Sequence, residues 1–119
     1  MAAIQPRISV ENLAKSTVIT FTNEKILDET EIIALEHSIM PIIEQAKVPN
    51  IVLSFENVNF LSSAVLGLLI RISKKVYQRN GQLKLCGINA KIFEIFKITR
   101  LDRIFEICED VDTAVQAIE

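Results

Sequence analysis

The sequence predicts an α/β protein built on a mixed β-sheet, with its elements in the order β-β-α-β-α-β-α-β-α. Two short segments rich in β-branched residues lie close together near the N-terminus, the pattern of an antiparallel pair joined by a loop. After them, apolar strand-like runs alternate with segments of helical period, which implies parallel strands connected by right-handed crossovers. No internal repeat, low-complexity tract or linker interrupts the 119 residues, so residues 1–119 read as one domain, long enough to bury a core without metals or disulfides.

Ile8 to Val10 and Thr17 to Thr22 form the first pair, separated by the polar stretch from Glu11 to Ser16, with the first segment at a sheet edge. Asn23-Glu24-Lys25 breaks the pattern, and Asp28 with Glu31 three residues on makes a capping-box-like helix start. Ile32, Leu35, Ile39, Ile42 or Ile43, and Ala46 then recur at helical spacing. Pro41 lies inside that run and predicts a kink or break, because it removes a donor and clashes with the preceding turn. Asn50 to Phe55 is nearly all apolar, as in a central strand covered on both faces.

A long amphipathic helix follows Ser62-Ser63 and closes at Asn80-Gly81, an αL-type stop. Gln82 to Gly87 reads as a strand and Ala90 to Thr99 as a short helix carrying Ile92, Phe93, Ile95, Phe96 and Ile98. Ile104 to Ile107 reads as a brief strand. Asp110 to Ile118 reads as a terminal helix with Val111, Ala114, Val115 and Ile118 on one side.

Composition excludes several functions. Thirteen basic against fifteen acidic residues give a net charge of −2, without a Lys/Arg cluster, which argues against nucleic-acid binding. Six Phe and one Tyr are too scattered for a base-stacking platform. Met1-Ala2-Ala3-Ile4-Gln5-Pro6-Arg7 lacks the features of a signal peptide, and no apolar run approaches the ~20 residues of a membrane span. A cytoplasmic location is expected, with no membrane partner. Cys86 and Cys108 stand in apolar surroundings without CxxC spacing and read as reduced, buried thiols rather than as a disulfide or metal site.

The chain carries little that resembles catalytic machinery. His37 is the single histidine and reads as a solvated or packed helix residue, leaving Ser62 and Ser63 without a base. The stretch is not GxSxG, Gly67 is isolated from any Gly-Lys-Ser/Thr, and the carboxylate pairs Glu24/Asp28 and Asp110/Asp112 fit loops and helix starts. No enzymatic activity, cofactor or metal is expected. The two hydroxyls are left with two uses, capping the helix or accepting a phosphoryl group, and they divide naturally: Ser62 as cap, Ser63 as acceptor.

At about 100° per residue, Val65, Leu66, Leu69, Ile70, Ile72, Ser73, Val76 and Tyr77 share one arc, opposite Arg71, Lys74, Lys75 and Gln78. Ser63 and Gly67 fall at one border of the polar arc, Ala64 and Leu68 toward the other. The first turns thus put small and apolar residues on a face expected to see solvent. That face is either tucked under a loop or a docking patch formed by Ser62, Ser63, Ala64, Gly67, Leu68 and Arg71. A phosphate on Ser63 would sit near the positive end of the helix dipole and put about two negative charges on the patch at pH 7.

Val58-Asn59-Phe60-Leu61-Ser62-Ser63-Ala64-Val65-Leu66-Gly67 resembles the signature of the STAS domain, in particular of the stand-alone bacterial anti-sigma factor antagonists. There a strand and an apolar pair precede Asp-Ser-Ser/Thr-Gly-Leu-Gly and a helix. Gly81 to Cys86 fits the family's next strand, Phe93 to Asp102 its later helix, and the element order fits over nearly the whole chain. The resemblance implies a STAS-like mixed sheet, with Ser63 as phosphoacceptor, Ser62 less so, and Leu66-Gly67 on the family's Leu-Gly. Ser62 stands in place of the family aspartate, Ala64 of the second hydroxyl residue, and Val65 of the first glycine.

What the resemblance implies in function is partner switching. The unphosphorylated protein binds an anti-sigma factor or related serine kinase-like regulatory protein, phosphorylation by that regulator ends the contact, and a phosphatase restores it. This chain would be a monomer or weak dimer. A constitutive STAS scaffold without phospho-regulation, with both serines as caps, remains open beside it, as does a weaker third option, a small-molecule sensor.

Overall fold

A computed structural model describes residues 8–118. The segment from Met1 to Arg7 lies outside the described residues, and with it the expectation about a signal peptide. The strands are β1 (Ile8–Asn12), β2 (Thr17–Phe21), β3 (Lys25–Ile26), β4 (Asn50–Ser54), β5 (Phe60–Leu61), β6 (Gln82–Cys86) and β7 (Glu106–Cys108). The helices are α1 (Glu29–Gln45), α2 (Ser63–Gln78), α3 (Ala90–Ile98) and α4 (Val111–Ala117), with a 3₁₀ turn at Leu101–Arg103.

Five strands make a mixed sheet in the order β1-β2-β4-β6-β7. Only β1 runs antiparallel, against β2, and it is an edge strand; β4, flanked by parallel partners, is central, with Ile51, Val52 and Leu53 fully buried. This is the α/β architecture expected from the pattern.

The two faces of the sheet are covered unequally. Ile19, Leu53 and Leu85 point into the main core with Leu35, Ile39 and Ile43 of α1, Leu69 and Ile72 of α2, and Ile92 and Phe96 of α3. The other face carries Val18, Val52 and Cys86 under Ala114 of α4 and Ile118. Lys84 lies in the same register row as Val52 and Glu106, and its buried ammonium is ion-paired to the Glu106 carboxylate. Pairing is what makes such burial tolerable.

Several local expectations are corrected. Strands β3 and β5 pair in parallel as a separate two-stranded sheet, and two-residue strands show no readable period. Helix α1 runs unbroken through Pro41. Pro41 and His37, whose carbonyl loses its donor, are both exposed, so the missing bond lies on the solvent side of the helix. Asp28 occupies the N-cap of α1 but makes no side-chain cap bond. Tyr77, placed on the apolar arc, is exposed at the last turn of α2.

The last strand is also displaced, from Ile104–Ile107 to Glu106–Cys108. Arg100 turns left-handed (φ 63°), the 3₁₀ turn follows, and Phe105 is drawn down edge-on to Phe96 with centroids 6.1 Å apart. The stop after α2 divides its labour: Asn80 takes the left-handed conformation (φ 63°), while Gly81 serves close approach. A Cβ there would come 1.8 Å from the Pro49 carbonyl oxygen.

Candidate functional site

The Ser62–Ser63 turn is held at the C-terminal end of β4 by a set of main-chain bonds. Phe55 N–H donates to the Cys86 carbonyl (2.9 Å) and Val58 N–H to that of Phe55 (2.9 Å), which folds Phe55 to Val58 into a tight turn. Buried Val58 anchors it in the core. The Glu24 carbonyl accepts from Asn59 N–H (2.8 Å) and Phe60 N–H (3.2 Å), and the Ile26 carbonyl from Ser62 N–H (3.0 Å).

Side chains complete the clamp. The Asn57 amide donates to the Phe21 carbonyl (3.2 Å), the Asn59 amide to Glu24 Oε1 (2.9 Å), and the Asn89 amide to the carbonyls of Val58 (3.4 Å) and Asn59 (3.3 Å). Gly87 lets the exit of β6 pass against this turn. Its φ of +69° disfavours a side chain, and a Cβ would stand 2.9 Å from Glu56 N.

Helix α2 starts where the clamp ends. Ser62 is its N-cap by backbone angles (φ −88°, ψ 164°), yet its hydroxyl makes no cap bond. Its Oγ is buried without a hydrogen-bond partner among the described residues. The expectation that Ser62 caps through its side chain is therefore corrected; at this start Val65 N–H donates to the Ser62 carbonyl (3.0 Å). Ser63, the first residue of α2, is exposed, as is Ala64 beside it.

The remaining candidates divide. Ser63, Gly67 and Arg71 are spaced one turn apart and form a stripe, with Gly67 half-buried and Arg71 exposed. The Arg71 guanidinium is paired to Glu36 of α1, Nε to Oε2 at 3.1 Å and Nη2 to Oε1 at 2.9 Å. Leu68 does not join the stripe. It is 0% exposed, inside the cluster that holds Leu35 and Ile39, so its assignment to a solvent-facing patch is corrected. Helix α1 packs along α2, as the Arg71–Glu36 pair shows, and the core they share closes over a position that a wheel drawn for one helix leaves open.

Two neighbours of the motif residue Phe60 escape the sequence pattern. Phe60, 44% exposed, lies in β5 just before Ser62, with Lys25 Nζ 5.5 Å and Lys91 Nζ 5.3 Å from its ring centroid. These are cation–π distances. Both lysines come from distant parts of the chain, so no local spacing links them to the site. Of the groups considered for catalysis, His37 is exposed on α1, and Asp110 caps α4 by accepting from Thr113 N–H (2.8 Å), a bond that holds its carboxyl below the usual aspartate range. Among the described residues no group of three or more His, Cys, Asp or Glu side chains could hold a metal ion, and no helix is long and apolar enough to cross a membrane.

The chain can be compared with known proteins on this geometry. A family model described as the STAS domain matches residues 7–114. The anti-sigma F factor antagonist of Paenibacillus polymyxa is 26% identical over 77 residues, 65% of this chain and 66% of that protein, a little under two thirds of its length. An anti-sigma-factor antagonist (STAS) domain protein from Planctomyces limnophilus superposes with a TM-score of 0.82 at 23% identity, covering 93% of this chain and 97% of the other. The Bacillus cell fate determinant SpoIIAA in its phosphorylated form superposes with a TM-score of 0.73 at 17% identity, covering 94% and 99%. At these identities the structural likeness speaks for the fold.

Proposed function

The chain belongs to the STAS domain family, and from that premise we propose that it is an anti-sigma factor antagonist-like regulatory protein, switched by phosphorylation at Ser63. It binds a serine kinase-like anti-sigma factor through the start of α2, with Ser63, Ala64, Gly67 and Arg71 as contacts and Ser62 behind them. The partner supplies ATP and catalysis, and this chain supplies a hydroxyl and a surface. A phosphatase resets the switch.

One observation carries the reading: Ser63 is exposed at the first position of a sixteen-residue helix, on a turn clamped from both sides. The clamp fixes the backbone that delivers Ser63 to a partner's active site, so less of the ordering cost is left to binding. The added phosphate is accommodated locally by the helix N-terminus. It also places a dianion beside Ala64 and Gly67, and desolvating it opposes docking.

The constitutive-scaffold reading rests on the motif departures, Ser62, Ala64 and Val65. Its premise that both serines serve as caps is weakened at Ser62, whose Oγ makes no cap bond. Intact-mass analysis with site mapping of protein from its native cells separates the readings. Phosphate on Ser63, together with lost partner binding by a folded Ser63→Asp variant, supports the switch. An unmodified Ser63, with Ser63→Asp binding like the parent in a calorimetric titration, supports the scaffold.

A further inference from the structure

Cys86 and Cys108 are register partners on the adjacent parallel strands β6 and β7. Neighbouring strands lie about 4.8 Å apart. That falls within the ~4.4–6.8 Å between Cα atoms that a disulfide spans, and bringing the Cβ atoms to its ~3.5–4.5 Å takes a small inward shift at the end of the three-residue edge strand β7. Both cysteines face the α4 side of the sheet: Cys86 is fully buried in the cluster with Ala114 and Ile118, and Cys108 is half-buried against that cluster. They sit at the C-terminal ends of their strands, at the end of the sheet where the Cys86 carbonyl holds Phe55 N–H at the start of the serine turn.

We propose that Cys86 and Cys108 form a reversible intramolecular disulfide, a modification site on β6 and β7 that takes two-electron oxidants of the hydroperoxide class. The order of events follows from exposure. Burial pushes the Cys86 thiol up to about 11; the Ser54 hydroxyl opposes the rise, and Cys108, Glu56 and Asp110 add to it. Cys86 is therefore the poorer first nucleophile, and the half-buried Cys108 meets the oxidant.

The Cys108 sulfur attacks the peroxide oxygen, the O–O bond breaks, and an alcohol or water leaves with Cys108 as a sulfenic acid. The Cys86 sulfur then attacks the Cys108 sulfur, the S–O bond breaks, and the hydroxyl departs as water with the Cys86 proton. Two thiols lose two electrons and two protons, and the peroxide gains them. A dithiol reductant reverses the change by thiol–disulfide exchange.

The test uses the full chain, reduced with a dithiol, desalted and exposed to hydrogen peroxide. The expected result is a monomer lighter by two hydrogens, a single Cys86–Cys108 linked peptide after proteolysis, simultaneous loss of both alkylation sites, and full recovery on adding dithiol. Cys108→Ser should show no two-hydrogen loss in the monomer. The proposal is overturned if Cys108 passes to the sulfinic acid while Cys86 stays alkylatable on unfolding, or if the only disulfides formed join two chains.

Discussion

The Asn89 side chain joins two structures at once: its amide donates to the Asn59 carbonyl (3.3 Å) on the serine turn, and its Oδ1 caps α3 by accepting from Ile92 N–H (2.9 Å). Asn89→Ala should cost about 1 kcal/mol as a lost cap in urea unfolding. It should also speed amide exchange from Val58 to Ser62. Asn89→Asp keeps the acceptor and removes the donor, so it should restore the cap while exchange in the turn stays fast. Unchanged exchange in both variants would show that the turn does not depend on Asn89.

Ser62 is expected to behave unlike an ordinary cap. Its Oγ is buried without a partner among the described residues, and leaving a polar atom so placed is itself a cost. Ser62→Ala should therefore shift stability by less than ~0.5 kcal/mol, or raise it, where a bonded serine cap would cost about 1 kcal/mol. Thermal unfolding of the purified variant measures this; a loss well above that margin would mean that the hydroxyl is bonded in solution.

Leu68→Ala should cost roughly 2–5 kcal/mol in chemical denaturation, as for a buried leucine whose cavity closes only partly. A drop in partner binding by this variant would report damage to the helix pair, since Leu68 is enclosed by the core. A cost under 1 kcal/mol would place Leu68 at the surface after all.

Arg71 separates stability from binding. Its pair with Glu36 is exposed, with side-chain exposures of 50% and 28%. Such pairs contribute ~1 kcal/mol or less and are screened by salt. Arg71→Ala should leave the melting temperature nearly unchanged while weakening association with the regulator, read by titration. Equal affinity for parent and variant would remove Arg71 from the proposed docking surface.

Asp110 sets a pH dependence of known sign. Its carboxyl, held low by the Thr113 N–H, has a folded-state pKa below the unfolded one, so its contribution is present above the unfolded value and is lost as pH falls through the folded value. Asp110→Asn keeps an acceptor without a titrating charge. The gap in urea midpoint between about pH 7 and about pH 3 should narrow in the variant. An identical gap in both proteins would assign the acid sensitivity to other carboxylates.

The order of the major elements was legible because each rests on a local period. The apolar runs at Asn50 and Gln82, and the helical spacing after Ser63, exclude most alternatives before any contact is known. The serine turn was legible as a place for the same reason: a strand must end and a helix begin there. The pair β3–β5 was not, because its strands are two residues long and are defined by partners 35 positions apart in the register Lys25↔Phe60.

Burial of individual side chains on α2 was likewise decided only in three dimensions. A helical wheel ranks positions about one axis, and Leu68 and Ala64 look equivalent on it; the core assembled from elements elsewhere in the chain buries the first and leaves the second exposed. The same holds for Ser62. Its residue type suits an N-cap, but the turn that delivers it leaves its Oγ buried without a partner among the described residues. Sequence by itself determined the fold class, the family resemblance and the position of the hydroxyl pair, because periodicity and motif are properties of neighbours in the chain. Tertiary structure alone decided which of those residues meet solvent, which meet each other, and that Cys86 and Cys108 stand side by side, because those depend on packing between segments that no local pattern brings together.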